Sequence, residues 1–183
     1  MNADLAWTAM QWDGLEHVIV HGADSGFRAD SQLIAAEGDL FRARYELDCD
    51  STWRVRSLSV RVATSAGERA LALSVTSDGR WQVDGRARPD LEDCVDLDIN
   101  RTPLTNTLPI RRLSWSPGVP VDLSVAYVSI PELEVRAVRQ RYTRLDEERY
   151  RYESGSFRAD LPVDQRGFVI DYPGLWRRVG LPA

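Results

Sequence analysis

The stretch Phe41-Arg42-Ala43-Arg44-Tyr45-Glu46-Leu47-Asp48 decides the fold class. Phe41, Ala43, Tyr45 and Leu47 fall on one side of an extended chain, and Arg42, Arg44 and Glu46 on the other. Side chains alternate between the two faces of a strand, so this is the signature of a strand with one buried face. The same period of two recurs along the chain. Residues 53–62 (WRVRSLSVRV) are rich in β-branched side chains, and 69–75 (RALALSV) alternate until the turn signal Ser77-Asp78-Gly79. Residues 80–84, 95–99, 121–130, 133–145, 150–152, 157–161 and 168–172 follow as further strand candidates. About a dozen strands at this spacing, roughly 8–12 residues apart, mark an all-β sandwich or barrel.

Residues 133–145 contain good helix formers. Their apolar members Val135, Ala137, Val138 and Tyr142 nevertheless form no stripe of period 3.6, so a strand is expected there. Only residues 173–178 read as a short helix. No linker or low-complexity tract divides residues 1–183, so one domain is expected. Two echoes raise an internal duplication: Phe27-Arg28-Ala29-Asp30 recurs at 157–160, and Arg56-Ser57-Leu58-Ser59 resembles Arg111-Arg112-Leu113-Ser114. The expectation is a curled antiparallel β-barrel or half-barrel.

Composition narrows the chemistry. The chain has 183 residues and a net charge of -5, and all 23 basic residues are arginine. Schiff-base, phosphate-loop and general-base lysines are thereby excluded. The acidic balance argues against nucleic acid as a partner, because neutralising phosphates needs a basic face. No apolar run approaches the ~20 residues of a membrane helix, and no secretory signal is read at the start, so a cytoplasmic location is expected. Cys49 and Cys94 read as two buried thiols.

Few residues carry a catalytic signature. No Gly-x-Ser-x-Gly elbow is present. On a strand, His17 and His21 would share a face about 13 Å apart, too far for one metal ion. No metal or cofactor is expected. Asp96 and Asp98 would lie on one strand face about 7 Å apart. That separation suits paired carboxylates or a divalent cation, but also simple pairing with arginine. The most informative segment runs from Arg101 to Leu113 (RTPLTNTLPIRRL). Thr102, Thr105, Asn106 and Thr107 can bond the local backbone, and Pro103 and Pro109 restrict it further. It reads as a rigid corner between two strands or as the polar lip of a ligand site. If residues 110–115 are a strand, Arg111 and Arg112 point to opposite faces, one of them toward Asp96 or Asp98.

This segment, preceded by Asp96-Leu97-Asp98, resembles the signature of a bacterial glycolipid-binding family, a group of domains of unknown function. The resemblance extends to Gly14-Leu15-Glu16, to Tyr45-Glu46-Leu47-Asp48-Cys49-Asp50 with Trp53, to Gly79-Arg80-Trp81, to Gln140 with Tyr142, and to Asp171-Tyr172-Pro173-Gly174-Leu175-Trp176. It spans nearly the whole chain. Leu104 departs from the pattern, in which Phe is common, and would trim the wall of a pocket. The resemblance implies a curled, barrel-like antiparallel sheet, similar in shape to half-barrel lipid carriers of bacterial envelopes.

The expected function is non-catalytic binding of a lipid or glycolipid in a barrel-like cavity. The residues expected near its head group are Trp81, Asp96, Asp98, Asn106, Arg111, Arg112 and Tyr142. The alternatives are an interaction protein that forms a homodimer, and a sugar-directed hydrolase using Asp96 and Asp98.

Overall fold

In a computed structural model the chain is described over residues 2–180. It is an all-β fold of two sheets. The first holds β1 (Asn2–Ala9), β2 (Asp13–Ala23), β3 (Gly26–Glu37), β4 (Asp39–Asp50), β5 (Val55–Thr64), β6 (Gly67–Val75), β7 (Trp81–Val83) and β8 (Arg86–Ala87). These follow one another as an antiparallel meander. Two late strands, β14 (Asp171–Tyr172) and β15 (Trp176–Val179), return to pair beside β1, which makes ten strands in all. The second, curled sheet contains β9 (Asp96–Ile99), β10 (Pro120–Val128), β11 (Val135–Arg144), β12 (Arg149–Ser154) and β13 (Phe157–Pro162). The bridge between Val163 and Val169 carries the chain from β13 toward β14.

The stretch that opened the sequence reading behaves as expected. Phe41, Ala43, Tyr45, Leu47 and Cys49 of β4 are buried, as are Ala29, Leu33 and Ala35 of β3 and Leu58, Val60 and Val62 of β5. A fully buried side chain of this size contributes ~1.5–3 kcal/mol relative to exposure, so these alternating rows are the main driving force for the sheet. The opposite face carries cross-strand ion pairs, among them Arg28–Asp48 and Arg44–Asp30, which are solvated and individually weak. His17 lies on this outer face, its Nε2 2.7 Å from Asp4. Both cysteines are free and buried.

One pair of neighbouring strands is parallel, β9 beside β10. A parallel pair cannot be closed by a hairpin and needs a long crossover, commonly a helix. That crossover is the segment read above as a strand corner. Leu104–Asn106 form a 3-10 turn and Thr107–Arg112 an α-helix, α1. The strand over 110–115 on which the opposite facing of Arg111 and Arg112 was conditional therefore does not form. Pro109 does not prevent the helix because it sits in the first turn, where its missing N–H would have had no partner. Six residues are too few for a stable helix in isolation. Burial of Thr107, Leu108, Pro109 and Ile110 stabilises it instead.

The expected helix at 173–178 is also absent. Leu175 donates back to Tyr172, Gly174 takes a positive φ of 74°, and the chain turns directly into β15. The echo between residues 56–59 and 111–114 joins a strand to the end of α1. The echo between 27–30 and 157–160 falls on the start of β3 and of β13.

Gly26 tests the turn between β2 and β3. Its φ is 141°, and an added Cβ would lie 2.0 Å from the Cys49 carbonyl oxygen. Gly26→Ala must move backbone, so a loss of about 1–3 kcal/mol is expected in urea denaturation. A midpoint equal to that of the wild type would show that the turn relaxes freely.

Candidate functional site

The residues between the two sheets leave little free space. Trp7, Tyr45, Tyr142, Phe168 and Trp176 have almost no exposed surface and fill the interior. Trp7 donates to the Val169 carbonyl at 2.9 Å, tying β1 to the chain after β13. The candidate site lies instead against the second sheet, under the crossover, as a pocket of about 290 Å³ lined by Asp98, Asn106, Tyr127, Tyr152, Tyr172 and Trp176, with Arg136 and Phe157 also contributing. Arg136 and Phe157 are exposed and form its mouth.

Strand register assembles it. Tyr127 of β10 stands opposite Asp98 of β9 on one side and Arg136 of β11 on the other. The Arg136 guanidinium lies over the Tyr127 ring, 4.9 Å from its centroid, inside the roughly 6 Å reach of a cation on an aromatic face. Tyr152 of β12 stands opposite Tyr142 of β11. The Tyr152 ring meets Tyr142 at 5.2 Å, Tyr172 at 6.0 Å and Phe157 at 6.1 Å. An aromatic wall thus curves around one carboxylate.

That carboxylate, Asp98, accepts from the Thr105 hydroxyl at 2.8 Å and the Gln140 amide at 2.6 Å. Burial pushes its pKa up, and these two hydrogen bonds with that of the Ile99 N–H oppose the rise. Asn106 donates to the Tyr142 hydroxyl at 2.8 Å. Burial raises the Tyr142 and Tyr172 phenols well above their ordinary value, and the Asp98 charge adds to it. They are neutral hydroxyls at physiological pH.

Of the seven residues singled out from sequence, Asp98 and Asn106 line the pocket and Tyr142 stands directly behind it. The other four do not join them. Asp96, one turn of the pleat away, is fully buried in an ion pair. The Arg112 Nε donates to its Oδ1 at 2.9 Å and Nη2 to its Oδ2. Asp96 and Asp98 are thus not an acid–base pair sharing a cleft. Arg111 points outward, its guanidinium 5.3 Å from the Trp53 ring. Trp81 is buried at the β7 end of the first sheet and donates to the Cys94 carbonyl at 2.8 Å. The helix explains the separation of the arginines: adjacent residues on a helix are about 100° apart rather than on opposite faces of a strand.

Tyr127, Arg136 and Tyr152 were not singled out, and Tyr172 and Trp176 were quoted only within the family resemblance. The five come from five separate strands, and no spacing in the sequence announces that they meet. Glu16 was quoted only within the family resemblance, yet its phase did carry a signal: it alternates with Val18 and Val20, both fully buried. Its Oε1 accepts from Ser31 at 2.8 Å and from Tyr45 at 2.9 Å, and its Oε2 has no partner among the described residues. Burial pushes the Glu16 pKa up to about 7, against the hydrogen bonds from Ser31 and Tyr45. Tyr45 also lies 3.1 Å from the Thr102 hydroxyl, so this cluster ties the first sheet to the start of the crossover.

Among the described residues, no helix is long and apolar enough to cross a membrane. No curated protein matches the chain. A solved structure of a DUF1089 family protein from Pseudomonas aeruginosa is 40% identical, with 90% of this chain and 92% of that one covered and a TM-score of 0.82. The family model described as "Putative glycolipid-binding" matches residues 4–178. The chain therefore belongs to this glycolipid-binding family.

Proposed function

We propose that the protein binds the polar head group of a glycolipid in the Asp98 pocket while the acyl part stays outside the fold. The observation that carries this reading is the pocket itself: an aromatic wall around two hydrogen-bonding side chains, Asp98 and Asn106. Aromatic faces pack against the apolar face of a sugar ring, and the carboxylate and amide accept and donate to its hydroxyls. At about 290 Å³ the pocket is at the small end of the ~300–1,000 Å³ usual for ligand sites. That suits one ring and not a whole lipid. The reading is binding without turnover, because Asp96 is held in its ion pair and leaves Asp98 without a second carboxylate partner in the pocket.

The test uses octyl β-glucoside below its critical micelle concentration, followed by calorimetry. Phe157→Ala removes an exposed aromatic edge at the mouth at little cost to the core. It is expected to weaken binding roughly five- to tenfold, the worth of one aromatic contact. Equal binding of a sugar-free octyl amphiphile, or equal affinity in the variant, would overturn the proposal.

A further inference from the structure

Asp98 differs from most aspartates of this chain in what neutralises it. Asp30, Asp48, Asp96, Asp122, Asp160 and Asp164 each pair with an arginine. The pocket's own carboxylate instead has only neutral partners, the Thr105 hydroxyl and the Gln140 amide. Among the described residues no cation lies within ion-pair distance of it. A half-buried carboxylate held only by neutral donors lacks a cationic partner, which a cationic ligand group would supply. The protein does have an arginine at hand, Arg136, but its guanidinium is stacked on the Tyr127 ring and makes no ion pair with Asp98.

The rings add to this field. The face of an aromatic ring carries the negative end of its quadrupole, and a cation over several such faces is stabilised most when desolvated. Tyr127, Tyr152, Tyr172 and Trp176 line the same space as Asp98. Tyr127 stands directly opposite Asp98 in the strand register, and the Tyr152 and Tyr172 rings meet at 6.0 Å on the wall of the same pocket. A neutral sugar would satisfy hydrogen bonds here and leave the charge unmatched.

We infer that the pocket recognises a head group carrying a protonated primary amine, seated against Asp98 inside the aromatic wall, with Arg136 at the mouth facing the head group's hydroxyl or anionic end. This rests on the head-group reading above and names the chemistry it would select. Two sources share that chemistry: an amino sugar, and an aminoalkyl phosphate such as phosphoethanolamine.

Tryptophan fluorescence, with Trp176 in the pocket, follows titration of the full chain with glucosamine, glucose, N-acetylglucosamine and phosphoethanolamine. Glucosamine is expected to bind about tenfold or more tightly than glucose or N-acetylglucosamine, which lacks the charge. Asp98→Asn is expected to abolish that preference, so that in the variant glucosamine binds no more tightly than glucose. Should the variant fold poorly, the wild type supplies the same information: methylammonium chloride should displace glucosamine, while sodium chloride at equal ionic strength should not. Tighter binding of phosphoethanolamine than of any sugar would keep the amine and overturn the glycolipid reading. Glucose binding as well as glucosamine would overturn the amine and keep the sugar. If none of the four binds at millimolar concentration, both readings fall.

Discussion

Arg112→Ala is expected to lower stability by about 3–5 kcal/mol, the cost of leaving a buried charge without its partner. Asp96 is fully buried, and the Arg112 side chain is only 10% exposed, so water cannot replace the guanidinium. For a chain of this size the loss corresponds to roughly 6–20 °C in Tm. The geometry is a fork, Nε and Nη2 to the two carboxylate oxygens, which a lysine cannot reproduce. Arg112→Lys is therefore expected to recover only part of the loss. The double variant Asp96→Leu with Arg112→Met removes both charges and is expected to return close to wild-type stability, because the single variant suffers from the orphaned charge rather than from a missing attraction. Urea denaturation of the three variants distinguishes these outcomes. A loss below about 1 kcal/mol for Arg112→Ala would show that the pair is solvated. The pair also fixes the end of α1 on β9, and α1 follows directly on Thr105 and Asn106. Head-group affinity should fall in the single variant and recover in the double one.

Glu16→Gln is expected to change how stability depends on pH. The Glu16 pKa is about 7 in the folded protein against an ordinary 4.5. Between these values the folded state keeps a proton that the unfolded chain releases. Stability from this group is complete below about pH 4.5, falls as pH rises toward 7, and is level above. The difference of 2.5 pH units corresponds to about 3 kcal/mol. Glutamine stays neutral throughout. Relative to wild type, the variant should gain about 3 kcal/mol between pH 4.5 and 8. Asp50, Asp160 and Asp164 have lowered values, so their contributions are lost only as pH falls below the usual carboxylate range. They lie outside this window and cancel in the comparison. Urea midpoints at pH 5, 6, 7 and 8 measure it. Parallel pH profiles for the two proteins would mean that Glu16 is hydrated in the folded state.

The strands were legible because alternation is a local property. Phe41, Ala43, Tyr45 and Leu47 announce a one-sided strand whatever they pack against, and the structure buries all four. Residues 133–145 carried helix-forming side chains but the wrong period, and β11 followed the period. The turn at Gly174 and the helix α1 were misread for opposite reasons. A short segment at 173–178 has helix formers but is drawn into pairing with β1. The run 107–112 has a proline and a threonine, yet the parallel pairing of β9 with β10 demands a crossover there. In both places a contact distant in sequence overruled the local preference.

The sequence by itself determined the all-β class, the buried faces of the long strands and the stretch from Asp96 to Leu113 as the one to watch. It also put Glu16 in phase with Val18 and Val20. Only the tertiary structure decided which of these residues meet. Asp96 and Asp98 share one strand face, but α1 delivers Arg112 to the first and the 3-10 turn before it delivers Thr105 to the second, so one becomes a closed ion pair and the other a carboxylate in a pocket. The physical reason is that a side chain's partner depends on strand register and crossover path, which bring Arg112 to Asp96 across 16 positions and Gln140 to Asp98 across 42. Alternation records only which face a residue takes, not what stands across from it.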